Sequence, residues 1–110
     1  MADYFVGLGF GIDRFTCLGL TDDREMARIA LSDLVAFARE ATDPASDALF
    51  VSCTALRAAS VAAEIEAAIG KPVVTSNLAT AWQCLRLCGE TTEKPAFGRL
   101  MTLQLPEIPQ

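Results

Sequence analysis

The run from Ala48 to Gly89 constrains the fold more than any other part of the chain. An unbroken apolar segment, Ala48 to Ser52, leads to a helical segment, "VAAEIEAAI". A short strand, Val73 to Thr75, follows, and then a second helical segment, "LATAWQCLRLC". Strands that alternate with helices imply an α/β fold, a parallel sheet with helices packed on it. An unbroken apolar strand suits a sheet covered on both faces. The punctuation agrees. Ser60 is a suitable N-cap for the first helix, in which Val61, Ile65 and Ile69 line one face and Glu64 and Glu66 face away, and Gly70 stops it. Asn77 is the expected cap of the second helix, whose Leu78, Ala81, Trp82, Leu85 and Cys88 share a stripe ended by Gly89.

Upstream, residues 1 to 8 read as the last turns of a helix closed by Gly7 or Gly9. "FGIDRFTCLGL" has the residue types of a strand, from about Phe10 to Leu18. Thr21 or Asp22 can cap the next helix, with Met26, Ile29 and Ala30 as its apolar stripe. Ser32 can recap the chain for a further run carrying Leu34, Val35, Phe37 and Ala38. Three strands are few for such a sheet, and a helix starting at Met1 has no preceding element to dock on. The expectation is a sheet lacking a strand before Met1. The segment from Glu90 to Gln110 is a tail with three prolines and no long periodic stretch.

A chain of 110 residues is one domain at most. Its net charge of −5, with arginines scattered singly, argues against nucleic acid as a partner. Small anions remain open, because backbone N–H groups can bind them without net positive charge. No apolar run approaches the ~18 residues of a membrane span, and the acidic start "MADYFVGLGFG" is not a signal peptide. Four cysteines sit inside apolar segments, which predicts reduced thiols in a cytoplasmic protein.

Chemistry in α/β sheets gathers at the carboxyl ends of the strands. Two of the strands here end in small polar residues, "VSCT" at 51 to 54 and "VTSN" at 74 to 77. The strand-helix-strand spacing brings both loops to one edge. There Ser52, Thr54, Ser76 and Asn77 could form an anion-friendly pocket around Cys53. The same residues could equally be a helix cap and a polar turn, and the sequence leaves both readings open. A thiol is the best unassisted nucleophile among side chains, so the absence of histidine does not exclude Cys53 from proton transfer or attack on an activated carbon. Cys84 and Cys88 share a helix face but have no further ligand beside them, which favours core packing over metal, and Cys17 reads as core too. "GLGFG" precedes its strand and so is no dinucleotide loop. Neither metal nor nucleotide chemistry has support.

The paired signatures S-C-T and P-V-V-T-S-N, followed by a tryptophan-bearing helix, carry a resemblance. Residues 47 to 89 closely resemble the second lobe of the Asp/Glu racemase superfamily. The likeness is to its branch of maleate cis–trans isomerases, arylmalonate decarboxylases and ectoine-utilisation proteins, and "SCTALRAA" is worded most like the last of these. It extends upstream through "GFGIDRFTCLGLTDDREMARIA" and downstream to "FGRLM". The resemblance implies a flavodoxin-like lobe spanning residues 1–89 without its opening strand. Residues 90–110 are then a tail that packs on an absent first lobe. It also implies a cofactor-independent isomerase, racemase or decarboxylase acting on a small dicarboxylate or related acid. Cys53 would be the second-lobe cysteine that moves a proton next to a carboxylate. Ser52, Thr54, Ser76 and Asn77 would sit in the carboxylate-holding loops. Arg57 fits the pattern without a role beyond a solvated one. The implied partners are the missing N-terminal lobe or a second copy of the chain. On its own, the chain is expected to be inactive, or to persist as a non-catalytic binding module.

Overall fold

A computed structural model describes residues 2–19, 22–53 and 55–106. The elements run α1 (Ala2–Gly7), α2 (Asp23–Ala27), α3 (Leu31–Ala41), β1 (Leu49–Val51), a 3₁₀ turn (Arg57–Val61), α4 (Ala62–Ile69), β2 (Val73–Thr75) and α5 (Ser76–Leu87). Two further 3₁₀ turns, Pro95–Phe97 and Arg99–Thr102, shape the tail. β1 and β2 pair in parallel, with Leu49 opposite Val73, Phe50 opposite Val74 and Val51 opposite Thr75. The fold is thus the α/β arrangement that the alternating pattern dictates.

Two apolar clusters hold it together. Leu34 and Ala38 of α3 meet Leu56, Val61, Ile65 and Val73, joining α3, the 3₁₀ turn, α4 and β2. On the other side Ala62, Leu78 and Met101 pack with Trp82, Leu85 and Leu100, so the tail closes over α4 and α5. Gly70 ends α4 at φ 70°, the left-handed geometry that glycine adopts at a helix stop.

Several expectations need correction. Residues 10–18 form no strand, and Phe10 and Phe15 are 60% and 54% exposed. A strand exists only by pairing, and among the described residues nothing but β2 pairs with β1. Nor is β1 covered on both faces, since Phe50 is 45% exposed. The caps also move. Ser60 donates its hydroxyl to Arg57 O, because the chain first winds a 3₁₀ turn, and α4 starts after Val61 without a side-chain cap. Ala30, and not Ser32, precedes α3. Asp22 caps α2, its carboxylate accepting from Arg24 N at 2.8 Å, while Thr21 lies outside the described residues. Cys17, Cys84 and Cys88 are exposed and belong to no core.

The largest correction concerns Glu66. It does not face away but is buried, 7% exposed. Its carboxylate accepts from Val73 N at 2.9 Å and from Arg99 N at 2.9 and 3.2 Å, tying α4 to β2 and the tail. Gly98, at φ 100°, lies so close that a Cβ there would meet Glu66 Oε1 at 3.2 Å. Arg86 is the second buried charge, 5% exposed. It donates to Leu103 O, Glu90 O and Met101 O, each at 2.9 Å. Trp82 Nε1 also donates to Leu103 O. The tail is therefore held by backbone groups on two buried, oppositely charged side chains.

Candidate active site

The parallel register fixes where the site forms. Val51 and Thr75 are partners, so both strands end level and the residues that follow, Ser52-Cys53 and Ser76-Asn77, emerge side by side. The contact is direct: Cys53 N–H donates to Ser76 Oγ at 3.1 Å. Thr75, buried at the end of β2, caps α5 by accepting Leu78 N at 3.0 Å. Thr75 rather than Asn77 is therefore the cap, and Ser76 and Asn77 belong to the first helical turn. With capping done by Thr75, the Ser76 hydroxyl is available to Cys53. It accepts one N–H and keeps its own O–H to donate. Ser52 and Asn77 are exposed at the same edge, while Ser76 and Cys53 are half-buried. Thr54 lies outside the described residues.

Cys53 carries the backbone anomaly of the chain. Its φ is 133°, and it is the one non-glycine residue with positive φ among the described residues. Such a conformation costs on the order of 1–3 kcal/mol and persists only where the surroundings enforce it. Here the bond to Ser76 and the packing of the side chain enforce it. The half-buried thiol lies at the margin of the core against α2, with Sγ 3.2 Å from Met26 Sδ. Cys53 is thus turned off the strand axis, fixed at both its N–H and its sulfur. Arg57 is exposed and donates to Ile29 O at 2.8 Å, which ties the loop after Cys53 to the segment just past α2.

Chemically the arrangement offers a thiol, a neighbouring hydroxyl donor and the N-terminal end of a 12-residue helix, whose first N–H groups favour negative charge. Those are the components of a site for a carboxylate with a proton donor next to it. Two surface concavities occur elsewhere, one between Arg39, Thr42 and Lys71, the other between Trp82, Leu87 and Leu105. Neither is lined by Ser52, Cys53, Ser76 or Asn77. Among the described residues no three of His, Cys, Asp or Glu converge as a metal site requires. Met26 is the participant that sequence reading placed only in an apolar stripe. Its sulfur contact depends on how α2 docks, which no local pattern reveals.

A family model of arylmalonate decarboxylase matches residues 1–101. The chain belongs to the arylmalonate decarboxylase family. The arylmalonate decarboxylase of Bordetella bronchiseptica is 39% identical over 87 residues, covering 76% of this chain and 36% of that protein. A crystal structure of arylmalonate decarboxylase superposes with TM-score 0.66 at 36% identity, over 76% of this chain and 38% of that one. A glycine-to-cysteine variant of arylmalonate decarboxylase in its sulfate-associated form gives TM-score 0.68 at 35% identity, over 78% and 38% of the two chains. The chain therefore spans a little over a third of the length of these relatives. The likeness supports the wider Asp/Glu racemase-like superfamily, and an arylmalonate decarboxylase-like chain fits the α/β architecture described above. Among the described residues no helix is long and apolar enough to cross a membrane.

Proposed function

We propose that this chain carries the proton-donating side of a cofactor-independent decarboxylase or racemase-type site for small carboxylic acids, with Cys53 as the donor. The observation that carries the reading is the Cys53 geometry: a strained residue at a strand end, anchored to Ser76 on the neighbouring loop. For an arylmalonate, the bond from the central carbon to one carboxylate breaks and carbon dioxide leaves. The electron pair stays on the central carbon, delocalised into the remaining carboxylate as an enediolate. Cys53 then gives its S–H proton to that carbon, and the thiolate recovers a proton from water. A thiol S–H is among the side-chain groups that serve as general acids, which is what this step requires. Ser52, Thr54, Ser76, Asn77 and the first N–H groups of α5 hold the retained carboxylate and the charge that develops on it. The sulfate carried by a solved relative is consistent with an anion site of this kind.

Residues 1–89 then form the second lobe of such an enzyme and 90–110 its tail, in a cytoplasmic protein with reduced thiols. Isomerisation of maleate or racemisation would need a second group on the opposite face of the carbon, and this chain presents one thiol at the edge. Decarboxylation with protonation from one face is the reaction that a single thiol satisfies. It still needs a closed, water-poor pocket, and the Cys53 edge is open. The isolated chain is accordingly expected to be inactive.

Two measurements test this. Carbon dioxide release from an arylmalonate by the purified 110-residue chain should be undetectable. A chimaera in which residues 1–101 replace the matched segment of the Bordetella bronchiseptica enzyme should be active, and Cys53→Ser should reduce its rate by about a thousandfold or more. A Cys53→Ser chimaera as active as its parent would remove Cys53 from the chemistry.

A further inference from the structure

α5 carries two thiols on a side that the fold leaves free. Leu78, Trp82, Leu85 and Arg86 fall on one side of the helix, and these residues meet Met101, Leu100 and Leu103 O. Cys84 and Cys88 fall together about 120° round from that side, at 100° per residue. Both are exposed, and both are free thiols. Cys88 N–H donates to Cys84 O at 3.0 Å, so the turn between them is a regular α-helical one. Cys88 closes α5 with φ −78° and ψ −2°.

The spacing selects what the pair can hold. Residues four apart on a helix have β-carbons about 5–6 Å apart, whereas a disulfide needs them about 3.8 Å apart. A direct S–S bond would therefore have to distort the last turn of α5. A bridging ion would not. Two metal–sulfur bonds of about 2.3 Å each span up to about 4.6 Å between the sulfurs, and the Cβ–S bonds cover the remainder. The number of ligands then selects the ion. Zinc takes four protein ligands in a closed site and three in an open one. Among the described residues no third His, Cys, Asp or Glu joins the pair. Thiolates prefer soft ions, copper(I) among them, and copper(I) is satisfied by two sulfurs in a line. The C-terminal end of a helix also favours positive charge.

We propose that Cys84 and Cys88 form a two-thiolate site for a soft monovalent cation, copper(I), at the end of α5. On binding, each S–H releases its proton to water and each sulfur gives an electron pair to the ion. No electron is transferred, and the copper stays monovalent. The pair lies about 18 Å from Ser76 along the helix, at 1.5 Å per residue. The inference is therefore independent of the role of Cys53.

Copper(I) competition on the whole chain tests it. The ion is supplied without oxygen as its complex with a chromophoric chelator, and transfer to the protein is followed by loss of the chelator colour. The parent chain and a Cys17→Ser chain should each withdraw one copper(I) per chain. Cys84→Ser and Cys88→Ser should each weaken that uptake by about a hundredfold or more, since even outer-shell partners of a metal are worth about 10–100-fold. All three positions are exposed, so circular dichroism should show the helices intact in every variant. Uptake at parent strength after either substitution in the pair would overturn the proposal, as would an equal loss on Cys17→Ser. So would sedimentation showing one copper(I) shared between two chains, since the two sulfurs would then come from different copies.

Discussion

Glu66→Gln is the sharpest probe of what holds the tail to the body of the fold. The substitution keeps the shape of the side chain and one oxygen. Glu66 Oε2 accepts from Val73 N at 2.9 Å, and Oε1 accepts from Arg99 N at 2.9 Å. In glutamine one of those oxygens becomes an NH₂ group, so either Val73 N faces a donor, or Arg99 N does and keeps only its longer contact to the remaining oxygen at 3.2 Å. Hydrogen bonds to charged groups contribute about 1.5–3 kcal/mol, and a buried N–H left without an acceptor costs about 1–3 kcal/mol. These overlap as one loss, so about 2–3 kcal/mol is expected. For a chain of this length 1 kcal/mol corresponds to about 4 °C in Tm, which places the midpoint about 10 °C lower. Thermal unfolding followed by circular dichroism measures it, with urea titration to check that the m-value is unchanged. A Glu66→Gln protein melting within about 2 °C of the parent would mean that the carboxylate clamp contributes little. The tail would then be held by the Arg86 and Trp82 hydrogen bonds and by Met101 and Leu100 packing.

Three further outcomes are expected. Arg86→Lys keeps the charge, but a single ammonium cannot reproduce a planar fork spread over three carbonyls. It should cost about 2 kcal/mol and open the segment after Glu90 to limited proteolysis. Cys53→Gly should be more stable than Cys53→Ala by about 1 kcal/mol in calorimetry, because only glycine relaxes at φ 133° and alanine retains the strain. The Thr92 hydrogen bonds hold the Glu90 carboxyl below its usual value of 4.5, with Lys94 and Arg86 adding to the effect. A depressed carboxyl stabilises the fold above the unfolded-state value and ceases to do so as pH falls through the lowered one. Glu90→Gln should therefore be somewhat less stable than the parent at neutral pH, with the difference closing as pH falls below 4.5, and the Glu90 titration is read directly by NMR.

The α/β order and the two strands were legible because each depends on local chemistry: an apolar run, a helical apolar stripe, a glycine stop at Gly70. What local chemistry could not decide is which capping residue acts. "VTSN" offers three in succession, and Thr75 takes the role because it is the last extended residue and its side chain is buried against the first turn. Glu66 was misjudged for a geometric reason. It flanks Ile65 by about 100° on the helix, so it borders the apolar stripe and is buried once something covers that flank. The cover comes from Arg99, 33 residues along the chain. Arg86 was illegible for the same reason, since its partners lie in a tail without periodicity. Residues 10–18 show the opposite failure: the pattern of a strand is present, and the pairing that would realise it is not.

The strain at Cys53 links these levels. A half-buried thiol that served only as core packing would gain nothing from a positive φ, and a glycine at that position would remove the cost. What the conformation achieves is to turn the residue out of β1 at the level where β2 becomes α5, so that its N–H meets Ser76 while its sulfur stays against Met26. The parallel register makes this possible, because it ends both strands at the same height. A slip of one residue would put Thr75 or Asn77 opposite Cys53, the first already committed to capping α5 and the second one step further into the helix. The edge proposed to accept a carboxylate and the cap that starts the helix thus compete for the same three polar side chains. Assigning the cap to Thr75 leaves Ser76 for the cysteine. Ser76→Ala should accordingly leave α5 capped, since Thr75 still bonds Leu78. It should reduce activity in the chimaera and free the Cys53 N–H, and an unaltered rate would separate the strain from the chemistry.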